Sequence, residues 1–170
     1  YTLSLHDALP IYFLIGLSNT LPIVLVNSFI KGGPKMFSIL VDEGKAVYDT
    51  LSYLQSENET NMYFLGDSFW KTTTVKINSF KKFYKKNNLD VTTNNIINCS
   101  HSYCGGKKGA LELFERNLAY PYKIICSSDT IAIGALRELL SLGVKIPEQV
   151  SIMGFSNIEV RSEERRVGKE

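Results

Sequence analysis

The chain of 170 residues is poor in the groups that staple or react. It has three cysteines, Cys99, Cys104 and Cys126, an odd number with no C-x-x-C among them. They read as reduced thiols in a cytosolic protein rather than as a disulfide framework. Scattered cysteines with only His101 nearby lack a paired-ligand spacing, so no metal site and no cofactor are expected. A formal charge of +2 is too small to argue for nucleic acid or an anionic membrane as a direct partner of these residues. No apolar run approaches the length of a membrane span, and the first residues lack the charged start and apolar core of a signal peptide. The nucleophile elbow G-x-S-x-G, the zinc helix H-E-x-x-H, the phosphate loop G-x-x-x-x-G-K-[ST] and the dinucleotide G-x-G-x-x-G are all absent. What remains, 44% hydrophobic and 21% charged, is ordinary globular material sized for one domain or two small lobes.

Residues 122–155 read as strand, helix, strand with almost no spare residues. An apolar run at 122–127 precedes Ser128 and Asp129, either of which can cap a helix by accepting a hydrogen bond from an orphan N–H of its first turn. Ala132, Ala135, Leu136, Leu139 and Leu140 fall on one face of that helix, Gly143 is the expected left-handed stop, and 150–154 is a second buried strand. Two strands joined by one helix should be parallel, and ligands of open parallel sheets lie beyond the carboxyl ends of the strands.

The same alternation runs back along the chain. Strands are expected at 21–26, 37–41, 62–66 and 95–99, and helices at 43–55, 72–87 and 107–118, with residues 12–18 as the end of an earlier helix. Val47, Leu51 and Leu54 form one buried stripe; Ile77, Phe80, Phe83 and Tyr84 form another, and Lys76, Lys81, Lys82, Lys85 and Lys86 occupy much of the opposite, solvated face. The β-α-β-α-β-α-β order from 62 to 154 specifies an α/β layered fold with a parallel sheet and flanking helices. The polar connector SENETN at 56–61 marks a lobe boundary. The extremes, LSLHDALPI at 3–11 and RSEERRVGKE at 161–170, resemble translated adapter sequence. Residues 1–11 and 161–170 are therefore expected to be non-native, flanking an internal piece of a longer protein.

Small polar groups follow the strands: Asn27, Asp42, Asp67, Lys76, His101, Ser128, Asp129, Ser156 and Asn157. Such a set suits hydroxyl-rich ligands, because buried polar partners discriminate strongly between stereoisomers. Trp70, Phe69 and Tyr103 can stack on an apolar sugar face, or simply pack at the rim. Each of Asp42, Asp67 and Asp129 is equally placed to cap its own helix. The run GGKKG at 105–109 is either a turn or a helix start offering N–H groups to an anion.

SDTIAIGAL at 128–136, LGVKIPEQVSIMGF at 142–155, LPIVLVN at 21–27 and Val41-Asp42 resemble the signature runs of the lactose-repressor (LacI/GalR) family of transcription regulators. The resemblance spans about 12–160. It implies a type I periplasmic-binding-protein-like fold: part of an N-terminal lobe at 12–58, most of a C-terminal lobe at 59–160, and an effector between them. It implies Asp42, Lys76, Ser128, Asp129, Ser156 and Asn157 as effector-binding residues. Lys76 stands where the family usually has Arg, which keeps the charge and loses the bidentate fork. Ser128 stands for Asn, and Ser156-Asn157 for Asp-Asp. It further implies a sugar-like effector, DNA bound through a headpiece outside this region, a homodimer when full length, no membrane, a cytoplasmic location and no enzymatic activity. The rival readings are the sugar-binding protein of an importer, which shares the fold, and a Rossmann-like hydrolase or transferase, which would show turnover.

Overall fold

The computed structural model describes residues 5–57, 59–89 and 93–156, with backbone only for 5–9 and 93. Two compact units emerge, residues 1–42 and 43–170. In the first, helix α1 (Leu5–Leu17) is followed by two short parallel strands, β1 (Ile23–Val26) and β2 (Met36–Ile39), paired in register from Ile23 with Met36 to Val26 with Ile39. The helix begins inside the stretch expected to be foreign and ends with the Ser18 hydroxyl donating to the Ile15 carbonyl at 2.6 Å.

The second unit contains α2 (Glu43–Ser56), β3 (Met62–Gly66), α3 (Lys71–Lys86), β4 (Ile96–Asn98), α4 (Tyr103–Glu115), β5 (Tyr122–Cys126), α5 (Asp129–Ser141) and β6 (Val150–Met153). All four strands are parallel, in the order β4-β3-β5-β6. Every residue of β3 is buried, as a strand covered on both faces requires. The period of two then sorts its side chains: Tyr63 and Leu65 join the core under α4 and α5, while Met62 and Phe64 join the core under α2 and α3. Because α2 buries Val47 and Leu51 against α3, it belongs to this unit. The second compact unit therefore begins at Glu43, with α2.

Helix α5 shows how local chemistry sets the ends. Ser128, in an extended conformation, accepts from the Ile131 N–H at 3.5 Å, so Ser128 is the cap and Asp129 the first helical residue, its carboxylate favourable at the positive end of the helix dipole. At the other end Gly143 adopts φ 77° and donates to Leu140 O at 3.1 Å, while Val144 donates to Leu139 O at 3.0 Å and buries its side chain. This paired motif satisfies two carbonyls that the helix leaves open. Leu140, assigned by spacing to the packed face, is instead exposed; Ile131 and Gly134 take that role.

Helix α4 starts earlier than its apolar stripe indicates. Ser102 caps it by accepting from Gly105 N–H at 3.0 Å, so Gly105 and Gly106 are helical and not a turn. A Cβ on Gly106 would collide with the Ile131 carbonyl oxygen, and one on Gly134 with the Tyr103 carbonyl oxygen. The two glycines thus let α4 and α5 approach backbone to backbone.

Candidate functional site

In sheet order β3 has its sequence successor β4 on one side and β5 on the other, so the direction of winding reverses between β3 and β5. The helices that follow these strands leave on opposite faces, α3 over one core and α5 over the other. A crevice at the carboxyl ends of the strands is the consequence, and it is where open α/β sheets hold ligands.

Lys76 spans that point. The 3.6-residue spacing placed it on the solvated face with the other lysines of α3, yet only 5% of it is exposed. Its Nζ donates to the Ser127 carbonyl, just beyond β5, at 2.8 Å. The same ammonium pairs with Glu43 Oε2 at 3.0 Å and lies 4.7 Å from the centre of the Phe155 ring. A buried charge is tolerable when it is paired and hydrogen-bonded, and these contacts supply both conditions. Lys81, Lys82, Lys85 and Lys86 are exposed, as expected.

Asp129 is 1% exposed, and its backbone N–H donates to Phe155 O at 3.0 Å, tying the start of α5 to the end of β6. Its Oδ1 lies against Gly154, where any Cβ would meet it. Ser127 and Ser128 are also buried; the Ser127 hydroxyl has no hydrogen-bond partner among the described residues. Ser156 is exposed, at φ 108°, a backbone region that L-residues rarely adopt.

The Asp67 carboxylate joins two loops. It accepts from Phe69 N–H at 3.0 Å and from His101 N–H at 3.2 Å, while Asn98 Oδ1 accepts from Ser68 N–H at 2.9 Å. Asp67 is therefore a tether, and α3 begins at Lys71, with Trp70 at the cap position and no side-chain cap. Trp70 packs against Phe69 and His101, with ring centres 6.3 and 5.8 Å apart. Phe69, Trp70 and Tyr103 are all exposed, at the rim and not in the core.

Lys76, Ser128, Asp129 and Ser156 thus gather at one end of the second unit's sheet. Asp42 closes the first unit and is exposed. Asn157 lies outside the described residues. Sequence reasoning missed Glu43, Ser127 and Phe155. Glu43 had one signal, an acidic residue opening a helix beside Asp42. The Ser127 contact is to a backbone carbonyl, which residue identity cannot announce.

The buried thiols are unsuited to nucleophilic work. Burial pushes Cys99 up to about 11, with a smaller contribution from Asp67, and raises Cys126 well above the ordinary thiol value. Among the described residues no group of His, Cys, Asp and Glu is arranged to hold a metal, and no helix is long and apolar enough to cross a membrane. An open depression of about 520 Å3 in the first unit, around residues 29–33, 36–38 and 40, contains none of the residues singled out above.

Residues 53–164 match the family of the periplasmic binding protein-like domain. An HTH-type transcriptional regulator of Lachnoclostridium phytofermentans is 25% identical over 145 residues, covering 85% of this chain and 43% of the regulator. The crystal structure of the Escherichia coli transcriptional repressor ascG superposes with a TM-score of 0.73 at 24% identity, covering 93% of this chain and 56% of that one. A LacI-family regulator from Lactobacillus casei, solved with bound sucrose, gives a TM-score of 0.71 at 20% identity over 88% of this chain and 56% of that one. The chain spans less than half the length of the curated relatives it matches. The parallel sheet, its switch point and a match over most of the second unit agree with the signature runs, and the chain belongs to the periplasmic binding protein-like domain family, in the LacI/GalR-like form those runs resemble.

Proposed function

We propose that this chain is the effector-binding part of a helix-turn-helix transcriptional regulator, taking a sugar-like small molecule at the carboxyl ends of β3, β5 and β6. The observation that carries the reading is the buried Lys76, which crosses the switch point to Ser127 and lies beside the buried Ser128 and Asp129. An ammonium at the carboxyl ends of the strands can donate to the hydroxyls of a polar ligand. Asp42 is proposed as an effector contact by its match to the family's Val-Asp pair, and Ser156 and Asn157 by their place after β6, where they stand for the family's Asp-Asp. The regulators among the relatives support this reading over an importer's binding protein and over an enzyme.

In the full-length protein, effector would bind one arrangement of the domain more tightly than another and so shift the DNA-binding heads of a cytoplasmic homodimer. Residues 12–58 and 59–160 are proposed as portions of the two lobes. Calorimetric titration of the full-length regulator with neutral pentoses, hexoses and disaccharides is the test. One sugar should bind, and Asp129→Ala should weaken it about tenfold or more. Turnover of a sugar, or a secretion signal in place of a helix-turn-helix in the upstream gene sequence, would reverse the conclusion.

A further inference from the structure

The Lys76 ammonium is shared before any ligand arrives. Glu43 holds it at 3.0 Å and the Ser127 carbonyl at 2.8 Å, and the centre of the Phe155 ring lies 4.7 Å away. Glu43 is itself three-quarters shielded, with 23% of its side chain exposed, so the pair sits where solvent screens it poorly. Asp129 adds a second buried acidic side chain at the same end of the sheet.

We infer that Glu43 is a specificity-determining residue: by occupying the Lys76 ammonium it reserves the site for uncharged, hydroxyl-rich ligands and turns phosphorylated or carboxylated ones away. This rests on the effector-binding reading above and narrows it. A hydroxyl group brings no charge, and it can accept from the ammonium or donate to the Glu43 carboxylate. A phosphate brought to Lys76 meets the Glu43 carboxylate on the same ammonium, and like charges at such separations oppose each other strongly in a partly dry site. Glu43 is thus a device of exclusion, acting against the wrong ligand more than for the right one.

The test uses inorganic phosphate as probe, followed by thermal shift and by titration, on the 170-residue chain and its variants. The parent chain should not respond to phosphate. Glu43→Gln frees the ammonium and should gain about tenfold or more in phosphate affinity. Glu43→Asp keeps the charge and should stay unresponsive, and Glu43→Gln combined with Lys76→Met should lose the gain. Circular dichroism of each variant confirms that the helices persist. Equal phosphate binding by parent and Glu43→Gln, no binding by either, or a Glu43→Asp chain that behaves like Glu43→Gln overturns the inference, whatever sugars do. A phosphate contrast as expected, with no neutral sugar bound by the full-length regulator, upholds the role of Glu43 and instead sinks the sugar-effector reading.

Discussion

Cys104 differs from its two companions only in surroundings. It is exposed on the first turn of α4, whereas Cys99 and Cys126 are buried among apolar side chains that disfavour the thiolate. The thiolate is the reacting species, so reactivity should follow that division. A colorimetric thiol reagent at neutral pH should label one cysteine per native chain quickly, and all three after unfolding in guanidinium. Two fast native thiols would contradict the packing of β4 and β5. Lys76 makes the complementary point. Its side chain is as long and as charged as those of Lys81 or Lys85, and nothing in its identity marks it as buried. Its partners lie on α2 and beyond β5, far away in the chain.

At the scale of the element, α4 and α5 depend on a pair of small residues. Replacing a helical glycine by alanine ordinarily stabilises a helix by up to about 1 kcal/mol. Here the added methyl would strike a neighbouring backbone carbonyl, and backbone cannot step aside as a side-chain tip can. Gly106→Ala and Gly134→Ala should therefore each destabilise the second unit by about 3 kcal/mol, read from urea midpoints. A gain in stability at either position would mean that the helices lie further apart. The cap of α4 was hidden for a related reason. Periodicity registers where apolar residues begin, and the first turn of α4 is built from Tyr103, Cys104, Gly105 and Gly106, which carry no clear stripe.

The whole molecule is uneven in its order. In the first unit Val24 and Val26 of β1 lie opposite Phe37 and Ile39 of β2, and all four are exposed. A two-stranded sheet with an uncovered apolar face is marginal in water. Amides of β1 and β2 should exchange with solvent within seconds while those of β3 and β5 persist for hours, as native-state hydrogen exchange by mass spectrometry would show. Equal protection would indicate that the β1–β2 face is covered in solution. The second unit has its own pH limit. Cys99 is pushed up to about 11, and Tyr84 and Tyr122 up to about 12, chiefly by burial. Each then keeps its proton longer folded than unfolded, so the folded state binds more protons above pH 9. Stability should be full below pH 9 and fall as pH rises through 11 to 12, visible as declining urea midpoints. A flat alkaline profile would show these groups to be better solvated.

What the sequence determined by itself was the order of elements, the parallel sheet and most of the buried stripes. These depend on periodicity, caps and stops within a few residues of one another, as at Ser128 and Gly143. It also marked the carboxyl ends of the strands as the place to look, and it carried the LacI/GalR-like runs. Only the tertiary structure decided that Lys76 turns inward, that Glu43 meets it, that Asp67 tethers loops and does not cap a helix, and that Gly106 and Gly134 face each other's helices. The physical reason is common to all four. Burial of a charge, and the closeness of two backbones, are properties of groups distant in sequence brought together by packing, and local pattern contains no term for them.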